Sequence, residues 1–322
     1  MTSTPPIRAR APGKVVLWGE YAVLAGAPAL VQAVDRYAHC HLGLAESGWR
    51  FATHGFRAPS VDLSLTSLRR PKPPPQPAAA LAWHVLQDYR EDELPSGVTT
   101  NTHSDDFFSG GQKLGLGSSA AVCVVLHAAY AALLGKRPNF DRALRAHRRA
   151  QGSRGSGIDV AASFYGGLLR YQAGDPQPID VDLPPRVFVW AGRAAATTTH
   201  LRRFADYRKR GNHAELDALA TASGALLESA SLDELAEYCR YLHALDDAGS
   251  LGIYSQAHLL LEQLAIDHQL VYKPCGAGGG DIGVAFTGPD IEATSRFRSA
   301  VKQAGFTVLT LETANHGIEV SA

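Results

Sequence analysis

Lys113-Leu114-Gly115-Leu116-Gly117-Ser118-Ser119-Ala120-Ala121 is the stretch of this chain best equipped to hold an anion. Its glycines open backbone conformations closed to other residues, and its serines offer hydroxyls and N–H groups. The apolar run from Val122 to Leu134 behind them can begin a helix. A helix N-terminus carries unpaired N–H donors and the positive end of the macrodipole, so phosphate oxygens bind there without a dedicated cation. The stretch reads as a nucleotide phosphate loop contributed by Lys113, Gly115, Leu116, Gly117, Ser118, Ser119 and Ala120. Gly115, Gly117 and Ala120 also fit the dinucleotide fingerprint G-x-G-x-x-A. That fingerprint should directly follow a buried strand, whereas residues 105–113 form a polar turn. Neither G-x-x-x-x-G-K-[ST] nor G-x-S-x-G occurs in the chain. Taken alone, the stretch equally suits a loop that only starts a core helix, so its companions must decide.

Three other segments supply candidates. In Ala11-Pro12-Gly13-Lys14, the lysine stands between a turn and a short strand over Val15–Trp18, where a rigid approach could aim an ammonium at phosphate. In Gly155-Ser156-Gly157-Ile158-Asp159-Val160-Ala161, an acid sits among residues that want burial, which is reconciled by a carboxylate held at a cleft by a charged partner. Gly276-Ala277-Gly278-Gly279-Gly280-Asp281 is a second glycine-dense turn between two strands, implying hard bends or backbone pressed against a ligand. Residues 136–154 are basic, and Arg142, Arg145 and Arg149 share a helix face, read as solvated in preference to phosphate-binding.

The elements around these residues follow from punctuation and periodicity. Strands are expected over 29–34, 36–44, 49–56, 97–102, 187–191 and 306–312, and helices over 78–89, 120–134 and 291–304. Pro71–Pro77 reads as a polyproline-like spacer, and the polar segment 174–185 as a linker between domains at 1–175 and 186–322. Lysine plus arginine balances aspartate plus glutamate at 31 each, so no global field favours nucleic acid or an acidic membrane, and a small-molecule partner is expected. The four cysteines are isolated, His39 and His41 read as surface residues, and the N-terminus lacks a signal-peptide core. A cytoplasmic protein without a membrane segment, monomeric or homodimeric, is the expectation.

In order, A-P-G-K-x-x-x-x-G-E at 11–20, G-L-G-S-S-A-A at 115–121 and G-A-G-G-G at 276–280 resemble the GHMP kinase superfamily. Within it, four stretches are similar to phosphomevalonate kinases of the bacterial, fungal and plant type: 19–23, 104–109 ahead of Lys113, 150–161, and 276–281. Mevalonate kinases look similar but tend to carry histidine after the first glutamate and glycine in the place of Asp281. The resemblance implies an α+β, two-domain GHMP kinase fold, with a left-handed β-α-β unit in the N-terminal domain and a ferredoxin-like C-terminal domain. It implies ATP and Mg²⁺ as cofactors, Asp159 and Lys14 as catalytic residues, and Ser118 or Ser119 at the metal. Acceptor contacts are implied for Lys14, Glu20, Tyr21, Ser156, Gly157, Thr198, His200, Gly276, Ala277 and Gly278. No glutamate lies between Glu93 and Glu215, where mevalonate kinases place a magnesium ligand, so metal binding is expected to rest on hydroxyl, phosphate and water oxygens.

The activity implied is transfer of the γ-phosphoryl group of ATP to 5-phosphomevalonate, with Lys14, Lys113, Arg154, His200 and Arg202 as candidates for neutralising charge. Phosphorylation of mevalonate, of another small alcohol or of a sugar is the alternative within the superfamily. A regulatory member that binds nucleotide without turnover is the alternative outside enzymes.

Overall fold

A computed structural model describes residues 5–54, 60–152, 155–192, 197–211 and 213–321; at 197 and 198 it describes the backbone only. The N-terminal half runs β1 (Ile7–Trp18), β2 (Ala29–Ala45), β3 (Gly48–His54), β4 (Val61–Leu63), α1 (Leu65–Leu68), α2 (Pro77–Leu86) and β5 (Gly97–His103). A short hairpin of β6 (Phe108–Ser109) and β7 (Gln112–Lys113) leads to α3 (Ser118–Leu133), α4 (Phe140–Ala150), α5 (Ile158–Tyr165), β8 (Leu168–Gln172) and β9 (Asp175–Pro178). The C-terminal half holds β10 (Arg186–Trp190), α6 (Thr197–Arg208), α7 (Ala214–Ala225), α8 (Leu232–Gly249), α9 (Gln256–Asp267), β11 (Val271–Pro274), β12 (Ile282–Phe286), α10 (Ile291–Gln303), β13 (Thr307–Leu309) and β14 (Glu319–Ser321).

The first sheet has the order β14-β1-β2-β5-β3-β4, with β8 pairing the start of β2 and β9 pairing β8. The sequence suggests two strands over 29–34 and 36–44; β2 is one long strand, but at that expected break its pairing with β1 shifts register, with Asp35 and Arg36 left between the Gly13–Val34 and Pro12–Tyr37 pairs. Only β3 and β5 pair in parallel among the described residues, and the chain between them returns through α2. Parallel neighbours need such a crossover because a tight turn cannot reverse the chain twice. Helix α3 is buried nearly all round, from Ala120 and Ala121 through Val124 and Val125 to Ala128 and Tyr130. An apolar helix of that kind belongs inside a domain.

The second sheet runs β11-β12-β10-β13, all antiparallel. Strand, helices, two strands, helix, strand, paired in that order, is the ferredoxin-like arrangement, here with four helices in its first connection. A small core of Val189, Leu261, Ala285 and Phe297 lies under this sheet, whereas the main core runs through both halves, from Trp18 and Trp49 to Tyr238 and Phe286.

The chain does not simply change domain at the expected linker. Residues 175–178 of that segment are strand β9, and the final strand β14 returns to pair with β1, where Arg10 grips Glu319 through two bonds of 2.9 and 3.0 Å. Among the described residues no helix is long and apolar enough to cross a membrane.

Candidate active site

The phosphate loop is shaped by two left-handed glycines, Gly115 at φ 80° and Gly117 at φ 83°, the second standing as N-cap of α3. Such φ values strain any residue with a Cβ. The loop is tied to β1, because the Lys14 N–H donates to Leu116 O at 2.8 Å. Gly13 permits that contact: a Cβ there would stand 2.8 Å from the same oxygen. The Lys14 side chain then runs along Gly117, whose own Cβ would come within 3.1 Å of it. The lysine and the loop are thereby placed together by backbone, before any ligand arrives.

Asp159 sits in the first turn of α5 behind Gly157, and one of its oxygens accepts from Val160 N–H at 3.0 Å. The turn ahead of it is braced from two sides. Ser156 O accepts from Tyr171 Oη at 2.6 Å and from Arg148 Nη2 at 3.0 Å. The basic helix is accordingly structural at its end: Arg149 also spans to His84 O and Asp88, and Arg142 lies over the Tyr89 ring.

A cleft of about 250 Å³ brings these segments together. Lys14, Lys113, Gly115, Gly117 and Ser119 line one side, Ser156 and Asp159 another, and Gly276, Ala277 and Asp281 close it from the C-terminal half. Glu20 and Tyr21 also border it. Burial pulls the Lys113 ammonium below its usual range, Asp281 and Asp159 push it back up, and Lys14 pulls it down again, so the four charges act on one another. Lys14 and Asp159 form no ion pair with each other among the described residues.

Several expected contacts are placed elsewhere. Leu116 and Ala120 are wholly buried, and so is Ser118, whose hydroxyl finds no partner among the described residues; only Ser119 of the serine pair borders the cleft. Neighbours on a helix point about 100° apart, and here that rotation turns Ser118 into the interior and Ser119 toward the cleft. Gly157 packs against Leu144 and Tyr171, and Gly278 against Ile253, because neither has a Cβ. His200 is buried with Nδ1 on Leu251 O at 3.0 Å and its ring against Gly279, which makes it a brace for the glycine turn at 276–281. Arg202 is exposed and outside the cleft lining. Arg154 and the Thr198 side chain lie outside the described residues.

Glu20 reaches the cleft border but its carboxylate is already engaged. Lys273 Nζ lies 2.5 Å from Oε1, Gly276 N–H donates to the same oxygen at 3.3 Å, and Tyr238 Oη donates to Oε2 at 2.8 Å while accepting from Gly19 N–H. Beside it, Tyr21 Oη donates to Ala277 O at 2.6 Å. These bonds fix the glycine turn at 276–281 onto the end of β1. Sequence reasoning missed Lys273, whose signal was a lysine inside the otherwise apolar strand Val271–Pro274, and treated Asp281 only as a family mark.

The comparisons with known proteins agree with this architecture. The family described as GHMP kinases N terminal domain matches residues 80–167. A phosphomevalonate kinase of Streptomyces sp. (strain CL190) is 31% identical, covering 96% of this chain and 97% of its own length. A mevalonate kinase of Thermococcus sibiricus is 26% identical over 98% of both chains. The structure of Streptococcus pneumoniae phosphomevalonate kinase in complex with phosphomevalonate and AMPPNP superposes with a TM-score of 0.76 at 21% identity, covering 95% of this chain and 99% of the other, which is a likeness of fold. With a relative of that identity along nearly its whole length, and with the loop, lysine and carboxylate gathered in one cleft, this chain belongs to the GHMP kinase family of phosphotransferases.

Proposed function

We propose that the protein transfers the γ-phosphoryl group of ATP to 5-phosphomevalonate, giving 5-diphosphomevalonate. The observation that carries the reading is the meeting of two lysines, Lys14 and Lys113, with the Gly115–Ser119 loop and Asp159 in one cleft. A phosphate acceptor has a second pKa of about 6, so at neutral pH its attacking oxygen is mostly ionised and needs no strong base. That oxygen forms a bond to the γ-phosphorus as the bond to the bridging oxygen breaks, and ADP departs with the electron pair. The obstacle is repulsion between two phosphate groups, which positioned cations and helix-end N–H groups relieve. In this reading Gly115, Gly117 and the first turn of α3 receive the nucleotide phosphates. Lys14 and Lys113 neutralise them, and Asp159 positions the acceptor.

Mg²⁺ fits the donors present. Magnesium is held by one or two carboxylates together with substrate phosphates and water, and Asp159 and the Ser119 hydroxyl border the same space. When bound it supplies charge neutralisation at the phosphoryl oxygens. Mevalonate kinase activity is the second reading, favoured by the mevalonate kinase relatives that span nearly the whole chain. There the acceptor is an alcohol, and Asp159 would have to take or position its proton.

An acceptor screen separates the two. Purified protein with ATP and Mg²⁺ is given mevalonate and 5-phosphomevalonate in parallel, and ADP release is followed with ³¹P NMR of the product. A diphosphate product from 5-phosphomevalonate, with mevalonate inert, is expected. Turnover of mevalonate alone would hand the assignment to the second reading, and turnover of neither would remove both.

A further inference from the structure

Away from the phosphate loop the cleft changes character. Val23 and Leu24 from the single-turn helix Ala22–Ala25, Leu201 from α6 and Ile158 from α5 give it an apolar wall. Elements of the two halves meet there, with the Tyr21 and Phe204 rings 5.1 Å apart and Arg208 Nη1 donating to Leu24 O at 3.3 Å. Several polar side chains bordering this part are already committed. Tyr21 Oη donates to Ala277 O, the Glu20 carboxylate is paired with Lys273, and Ser156 Oγ accepts from Ile158 N–H at 3.3 Å.

Gln151 differs from these. It caps the C-terminus of α4, and its side chain lines the cleft. Its Nε2 lies 3.2 Å from Nε2 of His147, one turn earlier and 2% exposed. A neutral imidazole nitrogen that faces an amide N–H accepts from it, so the buried ring gives the amide one favoured orientation. That orientation leaves Oε1 beside Gly155, where a Cβ would stand 3.2 Å from it, and Gly155 lines the cleft as well. At φ 98° Gly155 also has a backbone that suits glycine. Among the described residues no donor reaches Oε1.

The cleft therefore sets an anchored, uncharged hydrogen-bond acceptor near an aliphatic wall. That combination suits a carbon bearing both a hydroxyl and an alkyl group, the first donating to the amide oxygen and the second covering the wall. A sugar, with a hydroxyl on nearly every carbon, would press some of them against the wall unpaired.

Resting on the kinase reading above, we infer that Gln151 is a specificity-determining residue for the phosphoryl acceptor, its Oε1 accepting a hydrogen bond from the tertiary hydroxyl of 5-phosphomevalonate. That hydroxyl is remote from the reacting oxygen, so the contact is the same before and during transfer and acts on acceptor KM, leaving kcat alone.

The test uses the full-length protein with ATP, Mg²⁺ and two acceptors, 5-phosphomevalonate and its analogue with hydrogen in place of the tertiary hydroxyl. Wild type is expected to prefer the hydroxylated acceptor by about tenfold or more in kcat/KM. In Gln151→Leu that preference should shrink to about twofold or less, through a higher KM for 5-phosphomevalonate and with the KM for ATP unchanged. Gln151→Glu keeps an oxygen in the same place and should discriminate as the wild type does, whatever its charge does to the absolute rate. A Leu variant that retains the wild-type preference overturns the assignment. So does a Glu variant that discriminates no better than Leu, or a wild type indifferent to the hydroxyl. Wild type that turns over neither compound, nor mevalonate, defeats the kinase reading itself. If mevalonate is the acceptor, it carries the same tertiary hydroxyl, and the comparison with its own deoxy analogue decides the role of Gln151 in the same way.

Discussion

Lys273 and Glu20 form an ion pair of 2.5 Å across the two halves of the molecule, with side-chain exposures of 0% and 1%. Burial, the largest single influence, would lower the Lys273 pKa, but the Glu20 charge and hydrogen bond, together with the neighbouring Cys275 and Cys239, hold the ammonium above its ordinary value. Taking two charges out of water is costly, and the pair persists because Tyr238 and the Gly276 N–H satisfy the remaining carboxylate valences.

Breaking this pair from one side should therefore cost more than removing it whole. Lys273→Met leaves an unpaired buried carboxylate, and a loss of about 3–5 kcal/mol in urea unfolding is expected. The double variant Glu20→Gln with Lys273→Met should recover a large part of that loss. A double variant as unstable as the sum of the singles would show that the two residues are not coupled.

Lys14→Met and Asp159→Asn should each lower kcat by about 100-fold or more while leaving the thermal midpoint close to wild type. Neither side chain makes an ion pair among the described residues, so little folding energy depends on its charge. Steady-state kinetics beside differential scanning fluorimetry checks both halves of the statement. Full turnover in the Asn variant would remove Asp159 from the reaction.

Gly115→Ala meets two obstacles at once, a φ of 80° and the Asp281 carboxylate in the space a Cβ would take. A penalty of about 2 kcal/mol, or roughly thirtyfold in ADP affinity, is expected by calorimetry. Gly110, also left-handed at φ 56° but open on its Cβ side, gives the comparison, and Gly110→Ala should bind ADP normally.

Much of this site was written locally. Glycines next to hydroxyls, a lysine at a strand edge and an acid among apolar residues are short-range patterns, and the three segments that carry them do border one cleft. What the sequence hid was long-range or angular. Lys273 acquires its meaning only from Glu20, 253 residues away. The choice between Ser118 and Ser119 depends on the helix phase where α3 begins. His200 and Gly278 stand in the expected segments but turn toward Leu251 and Ile253, because the helices between β10 and β11 pack on the glycine turn from outside. Likewise β9 forms within polar residues because the open edge of β8 offers partners that composition does not reveal.

Acid should unfold this protein in part through one histidine. His127 is 1% exposed within α3, its Nε2 accepts from Asn139 N–H at 3.0 Å, and burial pushes its pKa down to about 4. The folded state keeps it neutral while the unfolded chain protonates near pH 6.5, so the associated stability is complete above that value and fades as pH falls toward 4. The difference amounts to about 3 kcal/mol. Urea midpoints between pH 7 and pH 4 should decline less steeply in His127→Gln, which retains an acceptor for Asn139. Parallel slopes would place the acid sensitivity elsewhere.

The grip of Arg10 on Glu319 joins residues 309 positions apart. At about 5–20 residues per second, a ribosome makes the second of them roughly 15–60 s after the first. Through that interval β1 waits with a bare flank, and an uncovered strand edge is a template for pairing with other chains. A chain cut before Glu319 would leave that flank of β1 uncovered in the finished molecule as well.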